Sequence, residues 1–591
     1  MAKSGKVTAV LACVAMLSVT TLADTFKLLI VHTNDMHSRF EQTSKSSGVC
    51  SEQEAAKNQC FGGFPRVSEA VTLARARSKM ENTQSLFLIA GDIYQGTLFY
   101  TIYKWKIVAK LTNMLRPDAM SLGNHEFDDG VKSLVPFINN ATFPILASNL
   151  DLRKEQDLYR PNLKNSVVFD LGGVKVAVIG YVTPDTKFIS QAGEVEFLDE
   201  VESIKAEAER IKEREPDVRI FIALGHSGFE MDQKIAAGVP DIDAVVGGHT
   251  NTFLYSGSKP DSEDPEGIYP TFVTQESGRR IPVVQAYAYT KYLGQLSLEF
   301  DSQGEVIHAV GNPLLLDHNV EQDPFILEEL NKWKKNISLM ADEEIGRTKV
   351  LLDGDTKHCR VHECNLGNFI TDAYIDYMAR LHKLNYGKGW TDTPISIQNG
   401  GSIRASIDVS SKGGKVTMAD LMAVLPFINN MVRMSLKGSD LLEVLEWSVF
   451  DYNADEHKGK FLQYSGLRVE YDLHKPNGKR VVRALARCGE CRVPIYEPID
   501  PNKSYYVITT AFLAKGGDDF KVLKQNYRSQ HEMDITDTDM VKEYFRRRSP
   551  VYPGVEGRTK FVNHIESAAS IMRSSILMPF IISLATVLST P

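Results

Sequence analysis

The stretch Leu28-Leu-Ile-Val-His-Thr-Asn-Asp-Met-His37 runs apolar residues into a polar turn that carries an acid and an imidazole two positions apart. The apolar part reads as a buried strand. In extended backbone, positions i and i+2 point the same way, so Asp35 and His37 are expected to converge on one metal. The device recurs downstream. Leu86-Phe-Leu-Ile-Ala-Gly-Asp92 ends a second apolar run in a glycine and a carboxylate. Gly123-Asn-His-Glu-Phe-Asp128 gathers an amide oxygen, an imidazole and two acids, and Gly225-His226 and Gly247-Gly-His-Thr-Asn251 each follow a further apolar run. A lone Gly-Asp or Gly-His reads as a turn. Five in succession at strand ends read as a ligand site, because open α/β sheets bind ligands at the carboxyl ends of their strands. Mixed nitrogen and oxygen donors suit zinc or manganese better than calcium, which prefers oxygen alone. They are too many for one tetrahedral ion, so a two-metal cluster is expected.

Outward from these motifs the chain divides in two. Strand-like runs at 26–31, 86–90, 174–179, 220–224 and 244–246 alternate with helical stretches such as 201–214, whose acids and bases repeat at helical spacing. That alternation predicts an α/β layered domain with a covered sheet. A second region, about 341 to 563, opens with a helix over 365–381 and shows strand-like runs at 394–397, 467–471 and 505–508. Between them 322–338 is charged, with Leu327, Leu330 and Trp333 at helical spacing, and reads as a connector helix. The expected organisation is a leader over 1–23, a first domain over 24–318, the connector over 319–341, a second domain over 342–563 and a removable tail over 567–591.

Composition narrows the class. The chain has 591 residues, 43% hydrophobic and 24% charged, which predicts several globular domains. Lys and Arg total 67 against 75 acids, a net charge of −8, which argues against gripping nucleic acid through its phosphates. Lys3 and Lys6 precede an apolar stretch over 7–17, and small residues at Thr21 and Ala23 complete a secretory signal. At the far end, Ser567, Ala568 and Ala569, a short spacer containing Arg573 and an apolar run over 576–588 match a glycosylphosphatidylinositol (GPI) anchor signal, with attachment placed at Ser567. With Cys13 in the leader, six cysteines remain. Export and local spacing favour Cys50 with Cys60, Cys359 with Cys364, and Cys488 with Cys491. Asn140, Asn336 and Asn502 head glycosylation sequons.

Taken together, Asp35-x-His37, Gly91-Asp92, Gly123-Asn-His-Glu126, Gly225-His226 and Gly248-His249 resemble the calcineurin-like metallophosphoesterases. The longer pieces from His32 to His37, Gly123 to Asp128 and Gly247 to Asn251 resemble the 5′-nucleotidase family. So do Asn399-Gly-Gly-Ser-Ile-Arg404, Leu425-Pro-Phe427 and Phe512-Leu-Ala-Lys-Gly-Gly-Asp518 in the second half. With both terminal signals, the resemblance is greatest to the membrane-anchored animal branch. It implies a four-layer α/β/β/α catalytic sandwich joined by a helix to an α/β nucleotide-binding domain. Asp35, His37 and Asn251 would hold one metal, Asn124, His226 and His249 the other, and Asp92 would bridge them. His125 would stabilise the transferring phosphoryl group, with Asp128 orienting it. Phe427 and Phe512 would sandwich the base, Asn399 would read a ring edge, and Asp518 would accept from ribose hydroxyls. Arg360 and Arg404 would bind phosphate. Ser402 stands where the family often has a further glycine.

The implied reaction is extracellular hydrolysis of AMP to adenosine and phosphate by a hydroxide activated between two divalent ions, most simply zinc, in a GPI-anchored homodimer. A secreted apyrase acting on ATP and ADP is the rival enzyme reading, and its relatives generally lack the anchor tail. Phosphodiesterase or nucleotide-sugar hydrolase activities follow. A silent binding protein of the same fold is the rival from another class, and the full set of ligand residues speaks against it.

Overall fold

The computed structural model describes residues 25–382 and 389–562. The leader over 1–23, the tail over 567–591 and the Ser567 attachment point lie outside the described residues.

The first region stacks two sheets. Strand Phe26–Asn34 lies between Tyr292–Phe300, antiparallel to it, and Gln84–Ala90, parallel to it. Ala119–Ser121, Ile145–Leu146 and Leu163–Lys164 continue the parallel order. The second sheet runs Thr271–Thr274, Arg280–Val284, Ala244–Val246, Ile220–His226, Val174–Val182 and Ser166–Leu171, with the inner strands parallel. Leu28, Ile30 and Leu88 of one sheet meet Val176, Val178, Ile222 and Leu224 of the other in a fully buried layer. Strands covered on both faces must be apolar throughout, which is why these read as runs rather than alternating patterns.

Helices close both outer faces. Phe64–Met80, Trp105–Leu115 and Val131–Asn140 cover the first sheet, while Glu200–Arg214 and Phe229–Gly238 cover the second. The result is the α/β/β/α sandwich that the resemblance implies.

The stretch expected as one connector helix is shorter and interrupted. Asp323 caps the start by accepting from the Phe325 and Ile326 amides, and Pro324 occupies the first turn, where no amide donor is missed. The helix Pro324–Lys334 then ends, and a separate turn Ser338–Ala341 follows. Ile326 and Leu330 are buried in the core of the first region, so this helix forms part of that region's outer layer.

Beyond it, a five-stranded sheet runs Leu462–Ser465, Ile395–Asn399, Ser504–Thr510, Asn430–Lys437 and Ser529–Thr536. Helices Asn365–Leu381 and Asp537–Arg548 cover one face, and Gly438–Ser448 covers the other. Strand Leu467–Tyr471 belongs to a further sheet with Val481–Arg487, Tyr496–Pro498 and Thr559–Phe561. The strand Ser529–Thr536 carries no apolar run because it is a largely exposed edge. Among the described residues no helix is long and apolar enough to cross a membrane.

The three expected disulfides are formed, Cys50–Cys60, Cys359–Cys364 and Cys488–Cys491. The side chains of Asn140, Asn336 and Asn502 are exposed.

Candidate functional site

Five strand ends from the two sheets of the first region face one another. Asp35 and His37 follow Phe26–Asn34, Asp92 follows Gln84–Ala90, and Asn124 to Asp128 follow Ala119–Ser121. His226 is the last residue of Ile220–His226, and His249 and Asn251 follow Ala244–Val246.

The route by which Asp35 and His37 converge differs from the expected one. Neither lies in extended backbone: their φ values are 48° and 46°. The chain leaves the strand as a left-handed turn, held by Asp35 N–H to Gly91 O at 3.2 Å and His37 N–H to Asp92 O at 3.0 Å. Asp92, His249 and Asn251 also have positive φ, at 53°, 83° and 58°. Such conformations are costly for residues other than glycine and persist where the surroundings impose them, which is characteristic of ligand sites.

Asp92 is the hub. Its Oδ2 lies 2.9 Å from His226 Nε2, 3.8 Å from His125 Nε2 and 3.9 Å from His37 Nε2. His226 Nε2 and His37 Nε2 are each 3.7 Å from Asp35 Oδ1. His249 Nδ1 faces Asn124 Oδ1 at 2.9 Å, and the His249 amide donates to Asp35 Oδ2 at 2.9 Å. Two metal-competent groups, His37-Asp92-His125 and Asp92-His226-His249, therefore share one carboxylate. Gly123 is required here, because a Cβ on it would stand 2.3 Å from Asp92 Oδ1.

The donor set fits divalent ions. His37 Nδ1 lies 3.2 Å from Tyr94 O and His226 Nδ1 lies 2.7 Å from Ala90 O. Imidazoles that donate from Nδ1 to a carbonyl turn the Nε2 lone pair into the site, as metal-ligating histidines do. Asp35 Oδ1 and Asn251 Oδ1 are buried without a hydrogen-bond partner, an arrangement that proteins avoid unless a ligand satisfies it.

Electrostatics separate the imidazoles. Before any ion binds, burial lowers the pKa of His226, yet Asp92 and Asp35 outweigh it and raise the value to about 10. His249, buried beside the His226 charge, falls to about 3. Burial opposes the charge of His125 too, but the Asp128 and Asp92 carboxylates lift its pKa above the ordinary value. Burial would raise the Asp92 carboxyl, and the His226 and His125 charges instead hold it well below the usual range.

Among the imidazoles of this cluster, His125 differs in that its Nδ1 faces a carboxylate. Its Nδ1 lies 2.6 Å from Asp128 Oδ2, and Asp128 Oδ1 accepts from Ser190 Oγ at 2.7 Å. Asp128 is therefore more than an acid at a helix start, since both its oxygens are committed.

The second region reaches the same place. Arg404 Nη2 is 2.7 Å from His37 Nε2, and the ring of Phe427 stacks on His125 with centroids 5.7 Å apart. Asn399 Nδ2 donates to Asp518 Oδ2 at 2.7 Å, while Ser402 Oγ donates to Asn399 Oδ1 and fixes that amide. Ser402 thus has a bonding partner of its own. Burial raises the Asp518 carboxyl to about 6. Arg360 is part-buried, with Nη1 donating to His457 O at 3.3 Å and Nε and Nη2 unpartnered. The Phe512 ring lies against Gly517, at which a Cβ would come within 2.5 Å of it.

Glu126 is a residue that motif reading leaves without a role. It is fully buried, and its carboxylate accepts from the amides of Asp92, Ile93, Tyr94 and Gly123 at 2.7–3.1 Å. It fastens the two loops that carry Asp92 and His125. The signal available in sequence is only its place three residues after Gly123. Glu126→Gln keeps the shape but turns an amide donor toward backbone donors. An unsatisfied buried group costs about 1–3 kcal/mol, so a lowered thermal midpoint and reduced phosphate release are expected together. An unchanged melting curve would remove the fastening role.

Two sheets sandwiched between helices, with a shared-carboxylate ligand cluster at their strand ends, define a phosphoesterase of the calcineurin-like class. Residues 28–253 match that family (calcineurin-like phosphoesterase), and residues 344–525 match the 5′-nucleotidase C-terminal domain. The chain is 42% identical to the 5′-nucleotidase of Mus musculus over 572 residues, 96% of this chain and 95% of that one. It is also 42% identical to the Homo sapiens 5′-nucleotidase, over 91% and 92% of the two chains. The solved 5′-nucleotidase precursor of Thermus thermophilus superposes with a TM-score of 0.81 at 34% identity, covering 91% of this chain and all of that one. This chain belongs to the 5′-nucleotidase family and is a metal-dependent phosphoric monoester hydrolase.

Proposed function

We propose that the protein removes the 5′-phosphate from extracellular nucleoside monophosphates, AMP foremost, at a site shared by both domains. The observation that carries this reading is the meeting of Arg404 with His37 and of Phe427 with His125, which sets the side chains expected to bind nucleotide against the candidate metal cluster. Asp35, His37 and Asn251 would hold one divalent ion, and Asn124, His226 and His249 a second, with Asp92 between them and zinc the favoured metal. When bound, such a pair supplies Lewis acidity and lowers the pKa of water enough to give a nucleophile near neutrality.

The chain's own residues do the rest. Arg360 and Arg404 would grip the phosphate through planar guanidinium forks. His125, held at Nδ1 by Asp128, would present Nε2 to the phosphoryl oxygens as charge develops. Phe427 and Phe512 would flank the base, Asn399 would bond its edge, and Asp518 would accept from the ribose hydroxyls. The molecule would act as a GPI-anchored glycoprotein and homodimer at the outer cell surface. Support for export comes from the leader, the three disulfides and the exposed sequons. Release of active enzyme from cells by a phosphatidylinositol-specific phospholipase checks the anchor.

The deciding experiment is phosphate release from AMP, ADP and ATP side by side, with and without zinc. Release chiefly from ATP and ADP would overturn the reading in favour of an apyrase, and none from any nucleotide would overturn it outright.

A pH effect follows at Asp518. Above a pKa near 6 its carboxylate is ionised and can accept from ribose, and as pH falls through 6 it takes up a proton and loses that capacity. Adenosine is uncharged in this range, so its inhibition constant isolates the effect. It is expected to weaken about tenfold from pH 7 to pH 5, the ratio of ionised fractions on either side of the pKa. Asp518→Asn should flatten the profile, and a flat wild-type profile would remove Asp518 from the ribose site.

A further inference from the structure

The turn that carries Arg360 holds a separate pair of metal-competent side chains. Asp355 caps the short helix Thr356–Cys359, and the His362 amide extends it by donating to His358 O at 2.9 Å. Positions four apart on a helical turn share one face. His358 and His362 accordingly lie ring to ring, with centroids 5.3 Å apart and planes 25° from parallel, and both are exposed.

Each ring has one nitrogen engaged from behind. His358 Nδ1 lies 2.6 Å from Asp353 Oδ2, and His362 Nδ1 lies 3.1 Å from Glu363 O. A neutral imidazole that donates from Nδ1 to a carboxylate or carbonyl presents its lone pair at Nε2, which is how proteins orient metal-binding histidines. The frame is rigid: the Cys359–Cys364 disulfide closes the turn, and Gly400 sits so close that a Cβ there would stand 2.5 Å from Cys359 O. Charge favours a cation, because Asp353 and Asp355 face His358, while the opposing Lys357 is engaged by Glu266 at 2.9 Å.

We propose that His358 and His362 form a peripheral binding site for a divalent transition-metal ion, distinct from the cluster around Asp92. Two imidazole donors select Cu2+, Ni2+ or Zn2+ over Mg2+ and Ca2+, which prefer oxygen, and rank Cu2+ above Ni2+. A bound ion would clamp the turn at residues two positions on either side of Arg360. Occupancy would therefore stiffen the element that projects this arginine toward the nucleotide.

The test uses the full secreted protein with its catalytic complement of zinc, at pH 8. Titration with Ni2+ by calorimetry is expected to show one ion per chain beyond that complement, with Cu2+ tighter and Mg2+ silent. His358→Gln or His362→Gln alone should abolish the extra ion while leaving phosphate release without added nickel unchanged. Asp353→Asn should weaken nickel binding about 10–100-fold, the usual cost of losing the group behind a ligating imidazole. In the wild type, the spectrum of the extra Cu2+ should carry hyperfine splitting from two nitrogens. Equal nickel stoichiometry in the wild type and the His358→Gln/His362→Gln double variant would overturn the proposal. So would the absence of two-nitrogen splitting in the wild type, whatever the variants do.

Discussion

Asp92→Ala is expected to abolish phosphate release and to strip metal from the purified protein, which should otherwise hold close to two ions per chain. The reason is positional. Among the described residues, Asp92 Oδ2 is the one carboxylate oxygen within 4 Å of His37, His125 and His226 together, and it belongs to both metal-competent groups. Removing it leaves each group short of an anion and leaves His226 facing Asp35 alone, 3.7 Å away. Asp92→Asn is the sharper variant. It preserves the acceptor for the His125 amide, now 2.9 Å from Asp92 Oδ1, and so preserves the local fold. It removes the charge, and with it the attraction for two cations. Elemental analysis, a thermal melt and an AMP assay on the same preparation check it. Near-wild-type turnover in either variant would sink the two-metal reading, whereas a collapsed melting curve confined to the alanine variant would assign that loss to folding.

Much of this cluster is legible in the sequence because its residues fall immediately after short apolar runs, and a strand covered on both faces has little freedom over where it ends. Five such endings in order leave few ways to arrange two sheets other than with their carboxyl ends together. What the sequence does not carry is the backbone route. Asp35 and His37 meet through a left-handed turn, with alternation along a strand playing no part, because the loop is tied amide by amide to Gly91 and Asp92. Glu126 is equally silent. A glutamate beside a histidine looks like another ligand, and its actual partners are four backbone amides that become neighbours only after folding. The connector is a third case. Its apolar spacing is real at Leu330, which is buried, and at Trp333, which packs against the same core, but the other buried position is Ile326 and not the expected Leu327. Contacts such as Arg404 with His37 depend on how the domains sit together, and no local pattern encodes that placement.

The second large effect is expected at His125. His125→Ala should lower turnover by a factor of about 10²–10³ while metal content stays at the wild-type level, the usual consequence of deleting one preorganised partner of transition-state charge. The ring is close enough to Asp92 to be mistaken for a ligand, with Nε2 3.8 Å from Oδ2. Three contacts argue for a different part. Its Nδ1 is bound to Asp128 at 2.6 Å, its amide is bound to Asp92, and its face is covered by Phe427 from the other domain. An imidazole braced by a carboxylate on one nitrogen and stacked on its flat side can aim the other nitrogen at a phosphoryl oxygen without turning. Asp128→Asn should then act through the same ring: it keeps a hydrogen-bonding partner but removes the charge that favours imidazolium, so turnover falls by less than in His125→Ala and metal content holds. Because both act on one step, the double variant should be little slower than His125→Ala alone, where independent roles would multiply. Loss of metal in His125→Ala would make the residue a ligand, and multiplicative losses in the double variant would separate Asp128 from it.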